Sequence, residues 1–503
     1  MLHFPIRFAL FAATLVVPST FAIAQTAAPD ELKVNWSQLT TVSRTTPTLQ
    51  VVVNPQLERG AKMHDGSFAA LRELGADYVR YVPWLPYPRL SVAELKPPTK
   101  DATFWDFSHI DPMMEDFMNA TRGHSVVINF STMPAWMFKT AKPVTYPDDP
   151  DEVYWHYTQG TEFRDPSMKE VADYYARLLS WYTKGGFVDE LGKRHESGHH
   201  YKIAYWEVLN EIDLEHHLTP EQYAHFYDAV VTAMRAVDPD IKFMGISLAY
   251  PMQNPTMFEY FLNPAHHKPG IPLDFITYHF YAQHAPQENL DGWQYSFFDQ
   301  GDGFLATVRY IEEIRKRLSP TTRTDINELG VILREDELEN GHPGYVGKPE
   351  PAGYYNLAGA LYAYMYVQLA MQGIDVVGES QLVGYHTQFP SVSMMDYNTS
   401  EPNPRLRVLQ LLHENFGPGD KLVKTANPNP GLFVQAFVTA KGKSILVVNK
   451  RDFKQQIELP ANAAGGSVTL VAPSTKNGPP STAKLAGRTI ELEPFEVAVV
   501  ACQ

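Results

Sequence analysis

Residues 203–211 read Ile203-Ala204-Tyr205-Trp206-Glu207-Val208-Leu209-Asn210-Glu211, an apolar and β-rich run that passes directly into an Asn-Glu pair. Residues 324–328 have the same form, because Thr324-Asp325-Ile326-Asn327 is followed at once by Glu328. Each stretch therefore predicts a short strand that ends in a carboxylate. Two such strand ends meet at one edge only if the strands are parallel and belong to the same sheet.

The rest of the chain supplies such a set of strands, because short apolar runs alternate with amphipathic helical stretches. The predicted strands are Leu49–Val53, Tyr78–Val82, Ser125–Asn129, Ile203–Leu209, Lys242–Gly245, Phe275–His279, Thr324–Asn327 and Val376–Gly378. The predicted helices are Gly66–Leu74, Ile110–Thr121, Ser167–Thr183, Pro220–Val237, Thr256–Leu262, Phe304–Leu318, Ala352–Gln372 and Pro404–Asn415. This order predicts an α/β fold, the closed (β/α)8 TIM barrel. The alternative, an open doubly wound sheet, would show a Gly-rich phosphate loop where Val53-Asn54-Pro55-Gln56 stands.

The pattern changes near Lys421, where short β-branched runs are separated by Pro, Gly and Asn. These runs are Leu432–Val438, Ser444–Val448, Gln455–Leu459, Ser467–Ala472, Thr489–Leu492 and Val497–Ala501. They predict a small antiparallel β-sandwich, residues 421–503, that follows the barrel.

The first 24 residues are predicted to be an export signal. Arg7 lies in a short basic region, an apolar run covers Phe8–Val17, and Ala22-Ile23-Ala24 provides a cleavage site before Gln25. The alternative, a membrane anchor, is disfavoured because a span needs about 20 apolar residues. We therefore expect a signal peptide (1–24), a catalytic barrel (25–420) and a periplasmic or extracellular protein.

Composition restricts the partners. The net charge is −15 over 503 residues, which gives no electrostatic reason to expect nucleic acid or an anionic membrane as a partner. The single cysteine, Cys502, cannot form an internal disulfide. The oligomeric state is not predicted by any feature of the sequence.

Two carboxylates at the same mouth of a barrel suit glycoside hydrolysis. One acid protonates the leaving oxygen, while the other attacks the anomeric carbon, and a retaining enzyme holds the two about 5–5.5 Å apart. Glu211 and Glu328 are distant in sequence, so only a closed barrel would bring them together.

At this point the chain resembles a known group of enzymes. Residues 205–211 resemble the acid/base motif of the clan A glycoside hydrolases, which have Asn-Glu at the end of strand four and a nucleophilic Glu at the end of strand seven. Family 39, the β-xylosidases and α-L-iduronidases, is the most similar within the clan. The further motifs that carry this resemblance are Trp105-Asp106-Phe107-Ser108-His109-Ile110-Asp111, Phe130-Ser131-Thr132-Met133-Pro134 and Asp274-Phe275-Ile276-Thr277-Tyr278-His279-Phe280-Tyr281.

The resemblance implies a role for each matching residue. Glu211 is expected as the general acid/base, Glu328 as the nucleophile, and Asn210 as a donor to the sugar 2-hydroxyl. Arg80 is expected beside the nucleophile, with His279 and Tyr281 as substrate contacts. The arginine should favour the charged form of Glu328, while burial should raise the pKa of Glu211. The mechanism requires no cofactor or metal.

The chain departs from the family pattern around the expected sugar. Leu209 and Ile212 stand where the family has Trp and Pro, and strand eight ends in Gly378-Glu379-Ser380-Gln381 without the usual Trp. Glu379 is therefore expected to bring a third carboxylate towards the cleft. Trp136 could stack on a sugar or pack in the core, and Glu207 favours a structural salt bridge. The histidines of residues 193–200 favour a surface loop over a metal site.

The leading hypothesis is a retaining, exo-acting glycosidase for plant or bacterial oligosaccharides, with β-xylosidase as the first candidate. Exo action is favoured because two insertions, Pro86–Thr103 and Lys139–Asp165, could close off one side of the cleft. The alternatives are a catalytically silent carbohydrate-binding protein and an endo-acting glycanase on the same barrel.

Overall fold

The computed structural model describes residues 31–157, 160–285, 288–333, 350–384 and 389–503. The predicted signal peptide, residues 1–24, lies outside these residues. Across the described ranges, no helix is both long and apolar enough to cross a lipid bilayer.

The strands belong either to a closed parallel barrel or to antiparallel sheets outside it. The barrel strands are β2 (Thr46–Val52), β3 (Val79–Val82), β4 (Val126–Ile128), β7 (Tyr205–Glu207), β8 (Lys242–Leu248), β9 (Phe275–Gln283), β10 (Arg323–Ile332) and β11 (Val376–Glu379). The others are β1 (Lys33–Val42), β5 (Gly186–Val188), β6 (Arg194–Glu196), β12 (Lys421–Ala426), β13 (Leu432–Thr439), β14 (Gly442–Asn449), β15 (Gln455–Glu458), β16 (Ser467–Val471), β17 (Ser481–Lys484), β18 (Thr489–Leu492) and β19 (Val497–Cys502).

The barrel is closed and parallel throughout. Its strands pair in chain order, and β11 returns to pair with β2, for example Glu379 with Leu49. This closure confirms the predicted (β/α)8 barrel and excludes the open sheet. All eight predicted strands appear. Each is either extended by up to five residues at an end or shortened by one or two.

Helices surround the barrel in the expected order. They are α1 (His64–Leu74), α2 (Pro88–Ser91), α3 (Asp111–Ala120), α4 (Lys169–Thr183), α5 (Pro220–Val237), α6 (Pro255–Phe261), α7 (Leu290–Leu318), α8 (Tyr354–Gln372) and α9 (Pro404–Asn415). α8 is apolar around its circumference because it is buried on nearly every face, with the barrel on one side and the C-terminal domain on the other.

The C-terminal domain consists of two antiparallel sheets. A seven-stranded sheet has the order β1-β12-β13-β14-β19-β16-β17, and a two-stranded sheet pairs β15 with β18. Ile457 of β15 and Ile490 of β18 share one apolar cluster with Val434 and Ile445 of the larger sheet, so the sheets are packed face to face. β1 was not among the predicted strands. It pairs with β12, so residues assigned to the barrel segment in fact form an edge of the C-terminal sheet.

Candidate active site

A cavity of about 1080 Å³ opens at the end of the barrel where the parallel strands finish. Its lining includes five of the predicted site residues, Asn210, Glu211, His279, Tyr281 and Glu328. Arg80 lies directly beneath them with only 1% of its surface exposed. The charged residues among the described lining are Glu211, Glu215, Asp299 and Glu328, and this lining includes no Lys or Arg.

Glu211 and Glu328 face each other across this cavity. One carboxylate oxygen of each, together with a ring nitrogen of His279, forms a trio whose members all lie within 4.8 Å of one another. Glu211 follows β7 through a left-handed backbone at both Leu209 (φ 68°) and Glu211 (φ 39°), a conformation that non-glycine residues rarely adopt and that is concentrated at functional sites. Glu328 lies opposite His279 after an irregularity in the pairing of β10 with β9. Such irregularities redirect side chains near active sites.

Arg80 organises the floor of the site. A guanidinium has five N–H donors, and here all of them have acceptors. The acceptors are Glu207 Oε2 at 2.5 Å, Gln50 Oε1 at 2.6 Å, Glu328 Oε1 at 2.7 Å, Asn210 Oδ1 at 2.6 Å and Ser247 Oγ at 3.2 Å. The arginine therefore fixes the nucleophile candidate and the Asn210 amide in one rigid unit.

Glu207 is the buried counter-charge of Arg80. Besides the arginine, its carboxylate accepts hydrogen bonds from Asn129 Nδ2 at 2.6 Å, Thr277 Oγ1 at 2.5 Å and Asn327 Nδ2 at 2.7 Å. It is fully buried below the cavity and does not line it. This is the structural salt bridge that the sequence favoured.

His279 connects the two carboxylates. Its Nδ1 lies 3.0 Å from Glu211 Oε1 and 3.5 Å from Glu328 Oε2, while its Nε2 lies 3.0 Å from Ser247 Oγ. The Ser247 hydroxyl donates its proton to Asn210 Oδ1, so the network assigns Nε2 of His279 as a donor to Ser247. Nδ1 is then left to share a proton with Glu211.

The carboxyl pKa values move in opposite directions. Burial raises the pKa of Glu211, against a hydrogen bond from His279 that lowers it and with repulsion from Glu328 that adds to the rise. Burial also acts to raise the pKa of Glu328, but the charges of His279 and Arg80, with a hydrogen bond from Tyr281, outweigh it and lower that pKa. At one pH the pair can therefore present one acid and one anion, which is what an acid/base and a nucleophile require.

The remaining partner of Glu328 is Tyr281. Its hydroxyl donates to Glu328 Oε2 at 2.7 Å and lies 2.6 Å from Ser380 Oγ, which in turn accepts from Gln50 Nε2. The Glu211–His279–Glu328 trio is compact enough to ligate a cation, but the guanidinium already paired with Glu328 opposes a second positive charge.

Two predicted site residues lie elsewhere. Glu379 is fully buried and bound to Arg405 Nε at 2.9 Å, so it faces α9 and not the cavity. The expectation failed because neighbouring residues along a strand point to opposite sides, and it is the next residue, Ser380, that contacts Gln50 and Tyr281 of the site. Trp136 does not line the cavity. Its Nε1 donates a hydrogen bond to the Glu94 carbonyl at 2.8 Å.

The sequence analysis also missed two acids of the cavity lining, Asp299 and Glu215. Glu215 lines the cavity, and its main-chain N–H donates to the Glu211 carbonyl at 2.7 Å in a single helical turn. Because residues four apart lie on the same side of such a turn, the spacing of Glu211 and Glu215 was a usable signal. Asp213, in the same turn, binds the main-chain N–H groups of Ala249 and Tyr250 and so fixes the loop after β8.

Aromatic side chains form one wall of the cavity without contribution from a tryptophan at the end of strand eight. Trp84, Trp155 and Phe389 lie with ring centroids 5.2–6.3 Å apart. They come from three different loops, which is why no single stretch of sequence indicated a sugar-stacking surface.

No protein-family model matches the sequence, and no curated protein matches it. Solved structures do. A GH30 endoxylanase from Clostridium papyrosolvens aligns with TM-score 0.54 and 14% identity over 93% of this chain and 98% of that chain. An α-L-arabinofuranosidase from Thermotoga maritima in complex with arabinose aligns with TM-score 0.57 and 16% identity over 94% of this chain and 99% of that chain. A GH51 arabinofuranosidase from Xanthomonas axonopodis pv. citri aligns with TM-score 0.61 and 12% identity over 94% of this chain and 100% of that chain.

At these identities the similarity concerns the fold. The resemblance to family 39 in particular stays a prediction, since the compared structures with family numbers belong to families 30 and 51. The chain has the fold of the clan A glycoside hydrolases, a (β/α)8 barrel with a C-terminal β domain.

Proposed function

We propose that this chain is a retaining glycoside hydrolase in which Glu328 is the nucleophile and Glu211 the general acid/base. The observation that carries the proposal is the approach of two carboxylates to within 4.8 Å in one cavity, with pKa values displaced in opposite directions. This separation matches the short carboxyl distance of retaining enzymes and leaves no room for the water that an inverting enzyme places between its carboxyls.

The reaction would take place in two displacements. Glu328 attacks the anomeric carbon and forms a glycosyl ester, while Glu211 gives its proton to the leaving oxygen. Glu211 then takes a proton from water, which attacks the ester and releases the sugar. Arg80 and Tyr281 hold Glu328 from two sides and keep it ionised before the attack.

The charges of the cavity favour a neutral sugar. The described lining carries four acidic side chains and no Lys or Arg, and the five donors of Arg80 are already used. A uronic acid would bring its own negative charge into this site without a partner. The family resemblance implies two activities, β-xylosidase and α-L-iduronidase. The charges of the site favour the β-xylosidase, whose sugar is neutral. Arabinofuranosides are the next substrates to test, because two of the compared structures carry that name.

Exo action is favoured by the shape of the cavity. The insertion Lys139–Asp165 contributes Trp155, Tyr157, Gly160 and Thr161 to the lining, which supports its proposed role in closing one side of the cleft. The other insertion, Pro86–Thr103, contributes no residue to the described lining.

The alternatives predict different results. A catalytically silent carbohydrate-binding protein should bind sugars without turnover. It would also have no reason to keep two opposed carboxylates with displaced pKa values. An endo-acting glycanase should cut long xylan or arabinan chains internally and act poorly on short aryl glycosides.

The decisive experiment compares wild type with Glu328→Ala on aryl β-xyloside, α-L-arabinofuranoside, β-glucoside, β-galactoside and a uronide. We expect hydrolysis of a neutral glycoside by wild type, loss of activity in the variant, and rescue by azide to give a glycosyl azide of inverted configuration. Glu259→Gln, on the exposed side of α6, is the matched control for loss of a carboxylate. Absence of hydrolysis across a broad panel of glycosides and oligosaccharides would contradict the assignment.

Export is proposed on the sequence signal alone. Mass spectrometry of the protein isolated from its native host should show a mature N-terminus at Gln25. Recovery of the chain with residues 1–24 still attached would contradict export by cleavage at that site.

A further inference from the structure

One of the acids that the sequence analysis missed, Glu215, makes two hydrogen bonds through a single oxygen. Its Oε1 accepts from Trp84 Nε1 at 2.6 Å and from Asn210 Nδ2 at 2.9 Å. Both donors belong to residues that line the cavity. Glu215 itself is 4% exposed at the side chain, so it acts on the cavity through these two neighbours.

The second oxygen of Glu215 has no hydrogen-bond partner. Oε2 is buried, and among the described residues the basic group that comes within 4.0 Å of it is Nε2 of His216, at 3.8 Å. His216 is 1% exposed, and burial lowers its pKa to about 4, so it supplies no positive charge near neutrality. The site contains no Lys or Arg facing Glu215 among the described lining residues, and the nearby charges are Glu211 and Glu328.

A carboxylate in this environment would be a buried anion without a counter-charge, which is costly. A neutral carboxylic acid fits it better, because the carbonyl oxygen can accept the two hydrogen bonds and an uncharged hydroxyl without a partner costs less to bury than a charge. In agreement, burial and then repulsion from Glu211 raise the pKa of Glu215 well above its usual value.

The hydrogen bond from Asn210 to Glu215 helps to fix the orientation of the Asn210 amide. Its Oδ1 accepts from Arg80 and Ser247, and one Nδ2 hydrogen goes to Glu215. All these bonds agree on one orientation of the amide, which leaves the second Nδ2 hydrogen free for a ligand in the cavity.

We propose that Glu215 is a positioning residue that, as an uncharged acid, holds the Asn210 amide and the Trp84 ring against the substrate. The inference rests on the proposed glycosidase function, because the ligand of Asn210 is the sugar 2-hydroxyl. Glu215 does not touch the reacting atoms and is not a second proton donor for the reaction.

The test uses three variants of the full-length protein. Glu215→Gln is uncharged and keeps an acceptor oxygen, Glu215→Ala removes the acceptor, and Asn210→Ala removes the group that is held. Each is assayed on a matched pair of aryl glycosides of the preferred sugar, one with the 2-hydroxyl and one without it. Glu259→Gln again controls for the loss of a surface carboxylate.

We expect Glu215→Gln to keep most of the activity, and Glu215→Ala to lose on the order of 100-fold in kcat/KM on the 2-hydroxy substrate. The loss should be about tenfold smaller on the 2-deoxy substrate, because the hydrogen bond to the 2-hydroxyl strengthens in the transition state. The losses of Glu215→Ala and Asn210→Ala should be less than additive in the double variant, because part of the effect of Glu215 passes through the Asn210 amide. Additive losses, or an inactive but folded Glu215→Gln, would overturn the proposal.

A second measurement does not depend on turnover. The infrared difference spectrum of wild type minus Glu215→Gln at pH 7 should contain the C=O band of a protonated carboxyl group, and a carboxylate band instead would overturn the uncharged state. If wild type hydrolyses no glycoside, the proposed function fails, and this spectrum still decides the state of Glu215. It also serves if Glu215→Ala does not fold.

Discussion

The Nδ1 atom of His279 lies 3.0 Å from Glu211 Oε1 and 3.5 Å from Glu328 Oε2, so one imidazole interacts with both carboxylates of the proposed reaction. Burial lowers the pKa of His279, but attraction to Glu328 and the hydrogen bond with Glu211 outweigh it and raise the pKa. The histidine thus stabilises negative charge on both of its neighbours.

Replacing His279 should therefore move the whole pH profile of kcat/KM upward. His279 lowers the pKa of Glu211 and of Glu328, so in His279→Gln both values rise. The acid limb, which reports ionisation of Glu328, and the alkaline limb, which reports deprotonation of Glu211, should shift in the same direction. Rates measured between pH 3 and 10 on an aryl glycoside check this, and a fixed alkaline limb would contradict the contact.

Glu211→Ala should discriminate between leaving groups. The variant cannot protonate the leaving oxygen, so hydrolysis of an alkyl glycoside should fall by about 100- to 10,000-fold. An activated nitrophenyl glycoside needs less protonation and should lose much less in its first displacement. The alkaline limb should also disappear from the profile of the variant. An equal loss on both substrates would argue against Glu211 as the acid.

Arg80→Met should be damaging for a structural reason as well as a chemical one. It leaves Glu207 and Glu328 buried without their common partner, which is expected to cost about 3–5 kcal/mol of unfolding free energy. Denaturant unfolding at neutral pH measures this cost. Arg59→Met, which breaks an exposed pair with Asp116, is the control and should cost about 0–1 kcal/mol.

Glu379 should matter for stability and not for the sugar. It is enclosed with Arg405, and burial raises its pKa to about 7 against the attraction of the arginine. Glu379→Gln should lower the unfolding free energy by about 1–3 kcal/mol through weakening of a charge-assisted hydrogen bond. KM should remain close to the wild-type value. A large rise in KM without a change in melting temperature would return Glu379 to the cleft.

Glu215 should make stability fall as pH rises. The unfolded chain releases this proton near the usual value of 4.5, while the folded protein keeps it to higher pH. Above the unfolded value, unfolding therefore releases a proton, and the free energy of unfolding decreases by about 1.4 kcal/mol per pH unit until the folded group also ionises. Glu215→Gln lacks this loss, so the melting temperature of the variant should gain on wild type between pH 5 and 8. If the melting temperatures of the two proteins instead change in parallel with pH, Glu215 is ionised in the folded state.

The barrel was predictable because its signal is repeated and local. Each strand is a compact apolar run, and the helices Pro220–Val237 and Pro404–Asn415 begin and end at the predicted residues. α7 was predicted only from Phe304, since Gly301, Asp302 and Gly303 resemble a turn. The helix starts at Leu290, and Gly301 lies within it where a Cβ would come 2.9 Å from the Met365 sulfur, so glycine suits the close packing of α7 on α8.

Side-chain direction was harder to predict than strand position. Glu211 and Glu328 were found because each comes directly after a predicted apolar run, although β10 itself continues to Ile332. Glu379 was assigned to the wrong side of its strand. Glu215 was missed because its importance lies in an enclosed environment, with Trp84 brought from a loop 131 residues away in sequence. Burial of that kind depends on the closed barrel and is not written in any one stretch.

The pairing of β1 with β12 has a consequence for the synthesis of the protein. The strand that pairs with residues 33–42 leaves the ribosome only after the whole barrel has been made, so β1 presents an open edge for most of translation. A chain cut after residue 420 keeps that edge permanently. We therefore expect the barrel expressed alone to aggregate through β1, and removal of residues 31–42 from the truncated chain to restore its solubility.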